Sequence, residues 1–279
     1  MHQHAVAKIS MNNISFIILT WNSEKHIDGC IRAILKTVNS EKYTYEIFVV
    51  DNGSKDNTRN ILNSLIKEFP GIIETIFFDH NTGTTFSRNQ ALKRITGDFI
   101  CVIDSDVEIL EGTIDHLINM LKENDRIGLI APRLVYGNGR LQKSTDYFPT
   151  ITRKLYRFFF LKALEKKTQG DETDDLLKKK EVDYAISAFW LFPKKVIKKV
   201  GFLDEKIFYA PEDADYCLRL WGCGYKILYD PTVSAIHNAQ EISRGFKMNR
   251  AFLEHIKGLI YYFLKHHYFF KKPVYNQDL

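Results

Sequence analysis

Residues 99–106 read Phe-Ile-Cys-Val-Ile-Asp-Ser-Asp. Five apolar, β-favouring side chains in a row fit a buried strand, and the run stops abruptly at Asp104-Ser105-Asp106. The same grammar recurs upstream. Ile14–Leu19 is an apolar run that ends in Thr20-Trp21-Asn22. Glu46–Val50 ends in Asp51-Asn52-Gly53-Ser54, a strong turn signal. Ile72–Phe78 is a further strand candidate. Helical spacing fills the gaps. Ile27, Ile31, Ile34 and Leu35 share one face, as do Ile61, Leu62, Leu65 and Ile66. Ser87–Ile95 reads as a helix. Thr113–Lys122 reads as another, with Ile114, Leu117, Ile118 and Leu121 inward. Strands alternating with helices predict an α/β fold: a mostly parallel, twisted sheet flanked by helices, with right-handed crossovers. In such sheets ligands bind beyond the carboxyl ends of the strands, and polar and acidic residues collect at those ends here.

The second half is less regular. Residues 161–182 carry 12 charged residues in 22, which reads as a solvated helix or mobile loop. Tyr184–Phe192 reads as a buried strand or core segment. Pro211 precedes a short helix, Glu212–Trp221, which Gly222 and Gly224 end. Lys226–Tyr229 and Thr232–Ile236 read as two short strands, the second running into His237. Residues 246–272 read as a final helical region. The expected organisation is a disordered N-terminus over 1–12, one domain over 13–240 and a helical extension over 241–279.

Composition narrows the function classes. The chain has 279 residues, 45% hydrophobic and 26% charged, which is ordinary for a folded chain and excludes collagen-like and disordered readings. The formal net charge of +5 does not demand nucleic acid, but it suits a phosphorylated ligand or an anionic membrane surface. The cysteines, at 30, 101, 217 and 223, lack metal-knuckle spacing, so a reduced, cytoplasmic chain is expected. The first residues carry no apolar signal core, and no stretch reaches the roughly 18 apolar residues of a membrane span.

Asp104-Ser105-Asp106 is the sharpest local feature. Side chains two apart on an extended segment point the same way, so both carboxylates can face one ligand. Paired carboxylates repel unless a cation or proton lies between them, and Mg²⁺ or Mn²⁺ is the natural partner. An EF-hand is excluded, because position six from Asp104 is Ile109 and position twelve is Asp115. Glu212-Asp213 opens a helix, where the dipole and capping account for one acid but less readily for two. On residue type alone, His237 reads as a core histidine. The chain has no G-x-G-x-x-G after its first strand, no P-loop and no G-x-S-x-G elbow.

Taken in order, Thr20-Trp21-Asn22-Ser23-Glu24, Val49 to Ser54, Asn81-Thr82-Gly83 with Arg88-Asn89, and Asp104-Ser105-Asp106 resemble the family 2 glycosyltransferases of GT-A fold. Gly201 to Glu205, Phe208, Glu212-Asp213, Arg219, Gly224 and His237 resemble that family's second half. The likeness is closest to the rhamnosyltransferase-like branch that builds bacterial surface polysaccharides, and it covers roughly residues 13–240. It implies a nucleotide-sugar site lined by Thr20, Asn22, Glu24, Asp51, Ser54, Arg88, Asp104 and Ser105. Asp51 would bond the pyrimidine ring of a UDP- or dTDP-sugar. Asp106 and His237 would hold Mn²⁺ or Mg²⁺ on the diphosphate. Asp213 would be the base of an inverting transfer, and Trp190 and Glu212 would lie on the acceptor side. A saccharide or lipid-linked glycan is the implied acceptor. The chain departs from the family pattern at Ser187-Ala188-Phe189-Trp190 and Pro193-Lys194. Two rival readings are a sugar-phosphate nucleotidyltransferase and a non-catalytic nucleotide-binding subunit of a membrane-bound assembly. The former would need a Gly-rich, basic loop where Trp21-Asn22-Ser23-Glu24 stands. The tail, Ala251–Tyr275, holds eight aromatics, four lysines and one acid. Phe252, Leu259 and Phe263 are expected to pack on the core. The remainder suits peripheral contact with an anionic membrane at the inner face of the cytoplasmic membrane.

Overall fold

The computed structural model describes residues 12–153, 156, 175–239, 250–271 and 273. The N-terminal segment 1–11, most of the charged stretch 161–182 and the start of the C-terminal region therefore lie outside the described residues. In chain order the strands are β1 (Asn12–Thr20), β2 (Tyr43–Asp51), β3 (Ile73–Phe77), β4 (Phe99–Asp104), β5 (Val107–Ile109), β6 (Ile127–Val135), β7 (Leu141–Gln142), β8 (Thr145–Asp146), β9 (Lys180–Glu181), β10 (Tyr184–Ala185), β11 (Phe189–Pro193) and β12 (Lys226–His237). The helices are α1 (Ile27–Thr37), α2 (Thr58–Glu68), α3 (Thr84–Leu92), α4 (Thr113–Glu123), α5 (Lys195–Val200), α6 (Glu212–Gly222) and α7 (Arg250–His266).

The main sheet runs β3-β2-β1-β4-β11-β6-β12-β5. The first four strands are parallel, as the alternating pattern predicts, and their register sets the site. Thr20 pairs with Asp51, and Leu19 pairs with both Val50 and Asp104, so the carboxyl ends of β1, β2 and β4 stand level. Beyond β4 the sheet is mixed. β11 enters antiparallel between β4 and β6, with Phe189 opposite Ile103. That reversal carries Ser187 and Ala188 to the end of β4, where the Asp104 amide donates to the Ala188 carbonyl at 3.0 Å. β12 likewise runs antiparallel to β5, which places His237 opposite Val107 and beside Asp106.

Two cores sandwich the sheet. Alternate residues of β1 divide between them: Ile14, Phe16 and Ile18 face α1, α2 and α4, whereas Ile17 faces α3, α6 and α7. Each such side chain is fully buried, which stabilises the fold by roughly 1.5–3 kcal/mol per residue. The pattern is the three-layer solution for a sheet with two apolar faces.

Two differences from the sequence reading have a common cause. The reading assigned no strand to 127–135, and it split 226–236 in two. Pro132 interrupts β6, and β12 shifts register between Asp230 and Ser234, opposite Pro132 and Arg133. A proline lacks the ladder amide, and Pro132 on β6 and Pro231 on β12 both fall at this irregularity. The result is one continuous β12 and a β6 whose apolar pattern is broken by Gly128, Pro132 and Arg133.

Candidate active site

The site forms where the level ends of β1, β2 and β4 meet the antiparallel arrivals. On the β1–β2 side, loops interlock through their own backbones. The Ser54 hydroxyl accepts from the Asn22 amide at 2.8 Å, and the Asn22 side-chain oxygen accepts from the Lys55 amide at 2.8 Å. Asn22 holds a left-handed backbone, φ 52°, a region that asparagine tolerates better than most residues. Gly53 is also left-handed, and a Cβ there would fall 2.6 Å from the His80 backbone, so no other residue fits that turn. Glu24 is exposed and accepts from the Asn57 amide at 2.9 Å. Asp51 is wholly buried. Its carboxylate closes on Arg59 Nε at 2.6 Å and on the Ser54 amide at 3.3 Å, so here it shapes the loop. Thr20 presents a buried hydroxyl with no hydrogen-bond partner among the described residues.

At the end of β4 the chain turns through Ser105 and Asp106. Asp104, Asp106 and His237 each offer one donor atom, all within 4.8 Å of one another. A turn and a distant strand, rather than extended alternation, bring them together. His237 Nε2 lies 3.3 Å from Asp106 Oδ1, and its Nδ1 lies 2.8 Å from Gln142 Oε1 on β7. With Gln142 accepting from Nδ1–H, Nε2 is the nitrogen left to face the carboxylates. Two carboxylates and an imidazole form a donor set that suits Mn²⁺, and the oxygen pair also suits Mg²⁺. Ser105, although in the same turn, points back and shares a 2.8 Å hydrogen bond with Ser23.

The electrostatics of the three differ. Burial pushes the Asp104 carboxyl above its ordinary value, against the pull of Arg88. Burial acts on Asp106 too, but the bond and charge of His237 outweigh it and hold that carboxyl below its ordinary value. Burial opposes protonation of His237, yet Asp106 overcomes it and raises the imidazole.

A buried charged line runs from this cluster to the second acidic turn. Arg88, on α3, is almost fully buried and bonds Asp104 Oδ1 at 2.5 Å and Ser187 Oγ at 2.7 Å. Ser187 Oγ donates to Glu212 Oε1 at 2.8 Å, and Arg88 Nη1 lies 3.7 Å from the same oxygen. Burial, and then the neighbouring charge of Asp213, push Glu212 up to about 8. Asp213, beside it, is half-buried and accepts from the Ala214 amide at 2.7 Å at the start of α6. The loop before α6 is clasped by α3: the Thr84 amide and Thr85 hydroxyl donate to the Phe208 and Ile207 carbonyls at 2.7 and 2.6 Å.

Trp190 does not join the site. It is 1% exposed, stacks on Tyr216 with ring centroids 5.7 Å apart, and donates its indole N–H to the Ala185 carbonyl at 2.9 Å. The acceptor-side role expected of it is corrected to a core role: β11 is central in the sheet, so this residue faces a covered side. The residues that the sequence reading missed are Gln142, Arg59 and the bridging role of Ser187. Gln142 and Arg59 sit in no motif, and only pairing across the sheet brings Ser187 to Arg88.

Comparisons with known proteins agree with this geometry. The model of "Glycosyl transferase family 2" matches residues 15–201. The chain belongs to that family. It is 26% identical over 239 residues to a GalNAc(5)-diNAcBac-PP-undecaprenol beta-1,3-glucosyltransferase of Campylobacter jejuni, covering 86% of this chain and 67% of that protein. It is 28% identical over 122 residues to a teichoic acid poly(glycerol phosphate) polymerase of Staphylococcus epidermidis, covering 44% of this chain but only 16% of that protein. The solved structure of GalNAc-T7 with UDP, GalNAc and Mn²⁺ superposes with a TM-score of 0.67 at 13% identity, covering 92% of this chain and 48% of that one. The fold is GT-A. Solved structures of that fold contain Mn²⁺, and the acidic cluster here has the donors for a divalent ion.

Proposed function

We propose that the chain is an inverting glycosyltransferase that moves a sugar from a UDP- or dTDP-sugar to a hydroxyl of a saccharide or lipid-linked glycan. The observation that carries this reading is the continuous line from Asp104–Asp106–His237 through Arg88 and Ser187 to Glu212-Asp213. It joins a cation-type donor set to a second pair of acids at one edge of the sheet.

Thr20, Asn22, Glu24, Asp51 and Ser54 take the nucleoside side, and the unpartnered Thr20 hydroxyl supports a ligand there. Arg88, Asp104 and Ser105 flank the diphosphate and sugar. Asp106 and His237 would hold Mn²⁺ or Mg²⁺, whose chemistry is to neutralise charge gathering on the departing diphosphate. Asp213 accepts the proton of the acceptor hydroxyl as that oxygen bonds to the anomeric carbon. The bond to the diphosphate breaks on the opposite face, so one displacement inverts the centre. Burial raises the Glu212 carboxyl, so Asp213, the half-buried member of the pair, is the one assigned the base's role. The transferase unit is residues 13–240, with 241–279 as a helical extension. The names of the Campylobacter and Staphylococcus relatives support acceptors in cell-envelope glycans.

No described helix is long and apolar enough to cross a membrane. Peripheral contact rests on α7. Leu253, Ile256, Ile260 and Leu264 form an outward stripe, 41–58% exposed, with Lys257 as its charged neighbour and Phe270 beyond it. Phe263 packs inward as expected, whereas Phe252 is exposed, not core. An apolar stripe with flanking lysine suits an anionic lipid surface at the cytoplasmic face.

The decisive experiment offers UDP-glucose, UDP-N-acetylglucosamine and dTDP-rhamnose to the chain with and without Mn²⁺ and follows nucleoside diphosphate release. Metal-dependent release of UDP or dTDP supports the reading. Release of pyrophosphate or its incorporation would favour a nucleotidyltransferase, and donor binding without turnover a non-catalytic subunit. For the membrane contact, flotation with phosphatidylcholine–phosphatidylglycerol vesicles is expected to fall with salt and in a Leu253→Ser/Ile260→Ser/Leu264→Ser variant. Equal flotation by that variant removes the α7 stripe as the contact.

A further inference from the structure

The segment that delivers Glu212-Asp213 is held from two sides. In front, α3 bonds the carbonyls of Ile207 and Phe208, and the Asn89 amide side chain pairs with both backbone groups of Leu203 at 2.9 and 3.1 Å. Behind it stands α7, which the sequence sets apart as an extension. Gly258, in the middle of α7, lies against the peptide just before the acidic pair. A Cβ built on it would fall 2.0 Å from the Ala210 carbonyl oxygen, 3.1 Å from its carbon and 3.3 Å from Pro211 Cδ. The two closest of these atoms are backbone, so no rotamer change relieves the collision.

One to two turns further along, α7 grips both ends of the same segment. Lys265 Nζ bridges Asp204 Oδ2 at 2.6 Å and Asp215 Oδ1 at 2.5 Å. His266 Nε2 adds a 2.8 Å contact to Asp215, and the Tyr261 hydroxyl donates to Asp204 at 2.9 Å. Asp204 precedes the loop and Asp215 follows the acidic pair, so one lysine ties the loop's entrance to its exit. Tyr262, between these contacts, is fully buried in the core on that side. Glycine is a poor residue for a helix interior, and its place at the one point of backbone contact is what the close approach requires.

We propose that α7 is a positioning element of the active site, and that Gly258 sets the place of the Glu212-Asp213 turn. The inference rests on the reading of Asp213 as the base. Its physical content is distance: any side chain at 258 drives α7 and Ala210 apart, and the acids move with their peptide. A displacement on the order of 1 Å at a reacting group can cost roughly 100-fold in rate. Thr20, Asn22, Asp51 and Ser54, at the ends of β1 and β2, have their hydrogen bonds and ion pairs to elements other than α7, so the nucleoside side stays in place.

The test uses the full chain and Gly258→Ala. Three quantities are measured: kcat for hydrolysis of whichever of the three donors the wild type turns over, the Kd for UDP in the presence of Mn²⁺, and amide hydrogen exchange over residues 204–215. The expected result is a kcat lower by roughly 10–100-fold, an unchanged Kd, and faster exchange confined to 204–215. Exposed Lys36→Ala, on α1 and outside both acidic turns, leaves all three unchanged. Wild-type kcat in Gly258→Ala, with the raised melting temperature of an ordinary helix Gly→Ala change, overturns the proposal. So does a Kd that weakens in step with kcat. If Gly258→Ala does not fold, Tyr261→Phe and Lys265→Gln are read on the same three axes, and normal values in both overturn it. A wild type inert on every donor defeats the transferase reading instead. In that case exchange over 204–215 still decides whether Gly258 holds the loop: faster exchange in Gly258→Ala keeps the positioning claim, and unchanged exchange ends it.

Discussion

Asp104-Ser105-Asp106 and Glu212-Asp213 are both acidic turns at the same edge of the sheet, yet they hold their charge in opposite ways. Asp106 faces a histidine and is pulled below its ordinary value. Glu212 faces a serine, a more distant arginine and another carboxylate, and is pushed up to about 8. The first arrangement keeps an anion ready for a cation. The second makes Glu212 hold its proton more tightly than an ordinary carboxyl does. The lesson is that acid pairs in sequence are not equivalent: their neighbours across the sheet decide which carboxyl is lowered and which is raised.

The largest expected effect tests the second turn. Asp213→Asn keeps the capping oxygen but cannot take a proton, and kcat for sugar transfer is expected to fall by about 10²–10⁴-fold with UDP affinity unchanged. Glu212→Gln is expected to cost less. Near-normal turnover by Asp213→Asn would reduce that acid to a helix cap and erase the contrast between the turns.

The first turn is tested by metal binding. Asp106→Ala is expected to abolish the gain in UDP affinity that Mn²⁺ gives the wild type, as EDTA does. Gln142→Leu removes only the partner that orients His237, and it should weaken Mn²⁺ by roughly 10–100-fold, read by calorimetry. Equal Mn²⁺ affinity in Gln142→Leu would show that the imidazole is held in place by packing alone. His237→Ala should lower metal response without unfolding the chain. Strong destabilisation with metal response intact would return this residue to a core role.

Acid–base linkage sharpens the comparison with smaller effects. Glu212 has a raised folded value, so the folded chain binds its proton more tightly than the unfolded chain. Its contribution to stability is complete below its unfolded value and is lost as pH rises through about 8. Glu212→Gln should flatten the decline in melting temperature between mildly acidic and mildly alkaline pH; an unchanged decline would place its cause elsewhere. Asp215, on the α7 side, behaves oppositely. It is buried, and although burial opposes ionisation, His266, Arg219 and Lys265 hold it at about 2. Its contribution, about 2 kcal/mol, is present above its unfolded value and lost as pH falls toward 2. Asp215→Asn should remove that part of the acid sensitivity, measured by urea unfolding across the acid range.

Much of the N-terminal half was legible from sequence. Buried strands are written as uninterrupted apolar runs, and their carboxyl ends are written as abrupt polar turns, so Thr20, Asp51 and Asp104 could be set at one edge. The second half was less legible for physical reasons. Pro132 and Gly128 hide β6, and Asp230-Pro231 divides β12 into two apparent strands in the sequence. Tyr184–Phe192 read correctly as buried, but the resemblance put Trp190 on the acceptor side because the antiparallel insertion of β11 leaves no trace in local periodicity. Gln142 carries no signal, since its role is one hydrogen bond to a residue 95 positions away.

By itself, then, the sequence determined the class of fold, the place of the parallel strands along the chain and the two acidic turns, because hydrophobic periodicity and turn chemistry act over a few neighbouring residues. Only the tertiary structure decided which carboxyl is lowered and which is raised, that Ser187 bridges Arg88 to Glu212, and that α7 presses Gly258 against the peptide before Asp213. Those outcomes depend on burial and on distances between residues far apart in the chain. Burial and long-range distance exist only once the chain has closed on itself.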